Sequence, residues 1–337
     1  MIAQSRKKIE AGGVRLAGTG MALPAKVVAN ADLAKTVDTS DEWIVQRTGI
    51  RQRRIAGEDE TVRSMAVGAL RQAIASAELT PRELDLVICA TLTPEMGCPS
   101  TAARVVAELE AVPAGALDIS AACSGFVYGI NHAWALINSG VCRTVGVIGV
   151  EKLSGIVDWD DRRTCVLFGD GAGAAILSGG GQPQQGCLYQ SMGSDGSRWE
   201  VLYLPQSARD LPSETNGFTG KFNTLQMNGR EVYKFAVTTL QACIEDALKA
   251  CNLRPDDLAM IIPHQSNSRI LESAREKLGV SEDRMYINID RYGNTSAASV
   301  PICLHELRSE GRLKEGDLVL FVALGGGLTW SSSLWRL

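Results

Sequence analysis

Three residues of this 337-residue chain combine reactive side chains with settings that bring them to a ligand. Cys123 lies in DISAACSGFVYGI, where a short apolar strand pattern (Ala116, Leu117, Ile119) runs into small residues and then a helical pattern. A thiol at a helix N-terminus faces unpaired backbone N–H groups and the positive end of the helix dipole, and both favour its thiolate. His264 closes the strand-like run MIIPH, and Asn294 stands in a second small-residue turn, YGNTSAAS. Gly325-Gly326-Gly327 follows a further apolar run and lets backbone N–H groups approach a ligand closely. A thiol, an imidazole and a carboxamide at one site suit acyl-thioester chemistry. The thiolate accepts an acyl group, and two neutral donors stabilise an enolate oxygen on a second substrate. Each residue also has an ordinary role open to it: Cys123 as a small core residue, His264 bonded to a neighbouring carbonyl, Asn294 as a helix cap, the glycines as a turn or bulge.

Whether these residues meet depends on the elements that carry them. The apolar periodicity predicts strands over 14–21, 84–91, 117–120, 144–150 and 169–177. Helices are predicted after the capping run DTSDEW (38–43), over 61–77, from Pro99 and over 123–138. The second half then repeats the first. ALRQAIASAELTPRELDLVICA from Ala69 lies over CIEDALKACNLRPDDLAMIIPH from Cys243, with Pro81 against Pro255, a shift of 174 residues. The order continues in both copies as helix (from Pro99; from Asn267), strand (117–120; 286–289), helix (from Cys123; from Asn294) and strand (144–150; 318–324). Two copies of an alternating β/α unit imply parallel-rich sheets with helices packed on them. In such sheets ligands gather at the carboxyl ends of strands. Facing halves would therefore turn Cys123 of one copy towards His264 and Asn294 of the other. The copies differ mainly at 179–228, a Gly-, Ser- and Pro-rich stretch expected to form loops or a flap over a functional face.

Composition narrows the classes of function. A formal net charge of −4 provides no footprint for nucleic acid. No apolar run reaches the ~18 residues of a membrane span, and MIAQSRKKIE lacks the apolar core of a signal peptide, so a cytoplasmic protein with a short solvated tail is expected. The nine cysteines include no C-x-x-C pair, and neither a disulfide framework nor a metal site follows from their spacing. His132 and His305 fall inside predicted helices and read as structural.

The motifs ISAACSGFVYGI, IIPHQSNSRI, YGNTSAASVP, DTSDEWIVQRTGIR, FGDGAGAAIL and GGGLTW together resemble the β-ketoacyl-acyl carrier protein synthase III family of thiolase-fold condensing enzymes, in order and from about Val14 to Leu337. The resemblance implies an α/β, thiolase-like fold with two pseudo-duplicated halves in a layered αβαβα arrangement. Its parts are expected at 1–12 (tail), 13–180 (half with the nucleophile), 181–228 (loop or flap) and 229–337 (half with His and Asn). It implies that Cys123 takes an acyl group, typically acetyl, from acyl-CoA. His264 and Asn294 would bind the thioester carbonyl of malonyl-acyl carrier protein during loss of CO₂, and the backbone N–H groups of Cys123 and Gly326 would form an oxyanion hole. No cofactor is implied, since acyl-CoA is a substrate.

The same resemblance places Trp43 and Arg162 around the adenine of CoA, with Thr39 and Arg47 beside them. It puts Arg230, Lys234, Arg269 and Lys277 at the docking face for the acidic carrier protein, although Arg230 stands where the family often has a smaller polar residue. Cys98 replaces a bulkier residue that shapes the acyl pocket, often across a dimer interface, and would admit a longer or branched primer. The 179–228 stretch is longer than the usual family loop. The relatives are homodimers, so a homodimer is expected. Two other readings remain open: a priming enzyme of quinolone or polyketide synthesis that uses other primers or malonyl-CoA, and a non-catalytic acyl-CoA-binding or carrier-docking protein. A thiolase proper would need a second cysteine near the C-terminus, and none lies beyond Cys303.

Overall fold

The structure, a computed structural model, describes residues 13–212 and 218–337, so the expected 1–12 tail lies outside the described residues. Nine strands build two sheets. The first contains β1 (Gly13–Ala22), β2 (Leu86–Ala90), β3 (Gly115–Ile119), β4 (Thr144–Glu151) and β5 (Gly171–Gly181) in the order β1-β5-β4-β2-β3. The second contains β6 (Gly186–Ser194), β7 (Met260–Pro263), β8 (Leu318–Gly325) and β9 (Thr329–Arg336) in the order β7-β8-β9-β6. In both sheets the connection through a helix yields a parallel pair and the direct connection an antiparallel one: β2 runs parallel to β4 and β7 to β8, whereas β5 and β9 turn back on their predecessors.

The longer helices among the described residues are α1 (Asp41–Thr48), α2 (Val62–Ser76), α3 (Thr101–Glu108), α4 (Gly125–Asn138), α5 (Gly229–Ala250), α6 (Ser268–Leu278) and α7 (Ser299–Ser309). Thr61 starts α2 by accepting from the Ser64 N–H at 3.1 Å, and the helix buries Met65, Ala66, Ala69, Leu70, Ala73 and Ile74 at helical spacing. It covers the outer face of the first sheet with α3, while α5 and α6 cover the second. Between the sheets lie α4 and α7, whose Phe126, Ile130, Val300 and Leu304 meet residues of both. The result is the expected αβαβα layering. Strand β4, TVGVIGVE, is buried along its whole length because helices cover both faces, which is why it reads as an unbroken apolar run.

The repeat holds in three dimensions. Leu86 and Met260, Thr144 and Leu318, and Gly125 and Ser299 open equivalent elements, each pair 174 residues apart. Two expectations change. The predicted strand at 286–289 is reduced to one bridge, Met285 to Ile261, followed by a short helix Ile289–Tyr292. The Gln265 side chain takes the partners a strand would use, donating to the Tyr286 carbonyl (3.0 Å) and accepting from the Asn288 N–H (2.9 Å). The stretch expected to be loops contains a sheet strand: β6 pairs antiparallel with β9 as the counterpart of β1. Only beyond it come a turn at Gly196–Val201 and a small ribbon of Leu202–Tyr203 with Gln226–Met227.

At the centre, the short turns Ala122–Ser124 and Ser296–Ala298, again 174 apart, lead into α4 and α7 and pack on each other. Gly149 of β4 leaves room for the second turn, since a Cβ there would stand 2.1 Å from the Ala297 carbonyl oxygen. Gly149→Ala is expected to lower the unfolding free energy by at least about 2 kcal/mol. Gly155→Ala, with nothing within 4 Å of the added carbon, serves as the control. Denaturant midpoints of the two variants check this.

Candidate active site

Cys123 sits in the first of these turns, after Ala122 in a left-handed conformation (φ 45°). The Ser124 N–H donates to the Ala121 carbonyl (3.1 Å), and the Thr329 hydroxyl reaches the same carbonyl at 3.1 Å. Gly325 closes against the turn from β8, because a Cβ there would come within 2.8 Å of the Cys123 nitrogen. Two cavities meet at the thiol. One, of about 160 Å³, is lined by Cys123, His264 and Asn294, with Tyr233, Phe235 and Asn267 in its wall. The other, of about 230 Å³, is mainly apolar and is lined by Cys123, Gly326, Leu153, Phe168, Leu204 and Leu225.

His264 is held where β7 ends, its N–H on the Val322 carbonyl at 2.7 Å. Its Nδ1 lies 2.7 Å from the Ser299 hydroxyl, which leaves Nε2 for the cavity. Asn294 lies beside it, its Oδ1 accepting from the Ser296 N–H at 2.9 Å. That contact is the capping role, and it also orients the amide, because an oxygen committed to the turn leaves Nδ2 as the donor on the other side. The turn thus brings together the three residues singled out for acyl-thioester chemistry.

The electrostatics differ from the helix-terminus expectation. Burial pushes the Cys123 thiol up to about 12, against the opposing pull of the Ser296 hydroxyl and its own backbone N–H. Burial also takes the His264 imidazole down to about 3, so it stays neutral. The resting site therefore holds a thiol and a neutral imidazole. Ser296 and Ser299 were not singled out as candidates. Their signal was positional, since Ser296 is the counterpart of Ala122 and shares its left-handed backbone (φ 49°).

The outer candidates are placed unevenly. Trp43, half-buried on α1, lies 4.9 Å from the Arg47 guanidinium and 5.3 Å from that of Arg162, which also bonds the Asp38 carbonyl at 2.7 Å. The Thr39 hydroxyl is buried there without a partner. Asn267 of the first cavity donates to the Arg47 carbonyl at 3.0 Å, so this cluster borders the cavity mouth. Arg230, Lys234, Arg269 and Lys277 are all exposed on the adjoining helices α5 and α6. Lys234 is paired with Glu231 at 2.7 Å, however, and Arg269 lies over the Tyr233 ring at 5.9 Å. Cys98 lines neither cavity of its own chain and is exposed on the loop before α3, so its expected place in the acyl pocket is not met within one chain. No disulfide joins any of the nine cysteines, and among the described residues no cluster of three or more His, Cys, Asp or Glu is placed to hold a metal.

Duplicated β/α halves, with a cysteine in one central turn and an asparagine at the other, define a thiolase-type acyl-transfer enzyme. Residues 117–196 match the model of 3-oxoacyl-[acyl-carrier-protein (ACP)] synthase III, and residues 248–337 match that of its C-terminal part. The chain is 48% identical to the beta-ketoacyl-[acyl-carrier-protein] synthase III of Caldanaerobacter subterraneus over 97% of this chain and 98% of that one. It superposes on the crystal structure of 3-oxoacyl-[acyl-carrier-protein] synthase III from Aquifex aeolicus with a TM-score of 0.90 at 46% identity, covering 96% of this chain and 100% of the other. The priming β-ketosynthase of the R1128 polyketide pathway also superposes with a TM-score of 0.90, at 34% identity over 99% of both chains. The chain belongs to the β-ketoacyl-[acyl-carrier-protein] synthase III family of condensing enzymes.

The depressed His264 value has a consequence for folding. Below pH ~6.5 the unfolded chain takes up a proton on this imidazole that the native chain refuses until about 3. Native stability therefore falls as pH falls through that window. From pH 8 to pH 5 the wild type is expected to lose about 2 kcal/mol more than His264→Gln. Urea titrations at the two pH values measure the difference.

Proposed function

We propose that this chain condenses an acyl-CoA, in first place acetyl-CoA, with malonyl-acyl carrier protein by decarboxylative Claisen chemistry through an acyl-Cys123 intermediate, initiating fatty acid synthesis. The observation that carries the reading is that Cys123, His264 and Asn294 line one cavity, with an apolar pocket opening behind the sulfur. In the first half-reaction Cys123 Sγ attacks the thioester carbonyl. The oxyanion is held by the backbone N–H groups of Cys123 and Gly326, and CoA leaves with a proton. In the second, the bond from the malonyl methylene to its carboxylate breaks and CO₂ departs. The electron pair becomes an enolate whose oxygen accepts from His264 Nε2 and Asn294 Nδ2. The enolate carbon then attacks the acyl group and Cys123 is freed. Both steps run on side chains and backbone alone, with no cofactor.

Trp43 and Arg162 are proposed to sandwich the adenine, beside Thr39 and Arg47. A purine between them needs about 7 Å, so Arg162 must swing away from the ring it now covers. Arg230, Lys234, Arg269 and Lys277 are proposed as the docking face for an acidic carrier protein. Residues 13–180 would supply the nucleophile and 229–337 the enolate donors. A homodimer is supported by the free edge of β3, where Leu117 is 40% exposed, and by the loop with Cys98 and Met96 beside α3. Cys98 would then shape the pocket of the partner subunit. Nine cysteines with no disulfide among them suit the reducing cytoplasm, and among the described residues no helix is long and apolar enough to cross a membrane. The apolar pocket also favours a second reading, a polyketide-priming synthase, which is separated by comparing malonyl-carrier protein with malonyl-CoA as extender.

Intact-mass measurement after incubation with acetyl-CoA is expected to show one acetyl adduct on the wild type and none on Cys123→Ala. An undiminished adduct on the variant would overturn the nucleophile assignment. Arg269→Glu is expected to raise KM for malonyl-carrier protein on the order of tenfold while leaving KM for acetyl-CoA unchanged. Equal effects on both substrates would remove Arg269 from the docking face.

A further inference from the structure

Behind the nucleophile lies a carboxyl group that the condensation steps leave unused. Glu151 ends β4 at 0% exposure. Its oxygens accept from the hydroxyls of Thr93 (2.6 Å), Thr91 (3.2 Å) and Ser296 (3.2 Å) and from the Leu92 N–H (3.2 Å). All four donors are neutral. Lys152, next in the chain, turns away to the carbonyls of Gly57 (2.8 Å) and Glu60 (2.9 Å). The titratable groups that face Glu151 are thiols: Cys89 on β2 and Cys123 across the turn. Ser296 stands at both acids: its hydroxyl donates to Glu151 Oε1, it lines one cavity with Cys123, and it favours the thiolate there.

We propose that Ser296 and Glu151 form the proton relay that activates Cys123, an inference that rests on Cys123 being the acyl-accepting nucleophile. Before Sγ attacks the thioester carbonyl, its S–H bond breaks and the proton passes to Ser296 Oγ, while the Ser296 proton passes to Glu151 Oε1. The products are a thiolate and a carboxylic acid, with the local charge conserved. When the CoA thiolate leaves, the proton returns through Ser296 to the departing sulfur, and Glu151 is again a carboxylate.

The arrangement answers the difficulty set by burial. A charged Glu151 raises the thiol further, so thiolate and carboxylate disfavour one another, and moving one proton between them relieves the conflict. Burial holds Glu151 at about 7, against its hydrogen bonds, which makes it a far stronger base than His264 at about 3. Ser296 lines the cavity that holds the reacting sulfur. Glu151 acts through it as a positioning residue and proton store.

The test is the single-turnover rate of acetyl transfer from acetyl-CoA to Cys123, followed by intact mass between pH 5.5 and 9. The wild-type rate is expected to rise through an inflection near 7. Glu151→Gln is expected to remove that inflection and lower the rate at pH 8 at least tenfold, and Ser296→Ala to do the same with the carboxylate in place. His264→Ala is expected to keep the inflection. A rate that falls with the inflection intact marks a purely structural Glu151 and overturns the relay, as does loss of the inflection in His264→Ala. If Glu151→Gln does not fold, Ser296→Ala decides alone. Absence of any adduct on the wild type refutes the nucleophile reading instead.

Discussion

The close approach of two equivalent turns, Ala122–Ser124 and Ser296–Ala298, is the constraint on which the rest of the molecule depends. Each turn opens a helix of the central layer, and each contains a residue forced into the left-handed region, Ala122 and Ser296. Such backbones persist only where surrounding packing over-determines them. Here it does so from both sheets. Gly149 of β4 leaves space for the Ala297 carbonyl, and Gly325 of β8 leaves space for the Cys123 nitrogen. The αβαβα layering serves as a clamp that presses two helix N-termini together and leaves their side chains facing one cavity.

Depth determines the chemistry available there. A helix terminus alone would favour a thiolate at Cys123, but desolvation outweighs it, and the same desolvation keeps His264 neutral. A neutral imidazole suits the donor role assigned to it, because a hydrogen bond to a developing enolate strengthens as charge appears. A thiol held high in pKa instead needs somewhere to send its proton. In the proposed reaction, burial therefore suits the groups to different roles: a neutral imidazole for donation, and a thiol that must be relieved of its proton.

Much of this architecture is legible in the chain itself. The 174-residue shift is visible because burial on both faces of β4 and β8 forces apolar runs at matching places, and helices α2 and α5 keep matching periodicity beside them. The reactive trio is legible for the same reason: strand ends and turn openings sit at predictable points of a repeat. Features that rely on long-range partners are not. The side chain of Gln265 displaced a strand at 286–289. Strand β6, with Gly and Ser among half-exposed positions, lacks the apolar signature of the strands it joins. Cys98 needs a second chain before its place has meaning. The sign of the Cys123 shift depends on burial by residues as distant as Gly325, far along the chain, which no local pattern encodes.

Duplication explains how an asymmetric site arises from a symmetric scaffold. The position equivalent to Cys123 is Ala297, and the position equivalent to Ala122 is Ser296. One turn thus carries the sulfur after a methyl side chain at 122, and the other carries a hydroxyl at the equivalent 296 and a methyl where the sulfur would be. Because the pseudo-symmetry brings the turns together, the Ser296 hydroxyl of one copy and the Cys123 sulfur of the other line one cavity. The strands divide in the same way: β4 ends in Glu151, whereas its counterpart β8 ends in Gly325, where a side chain would strike the Cys123 backbone. A carboxylate at the second position is excluded by that contact, so the buried acid has room only in the half where it reaches Ser296 and, through it, Cys123.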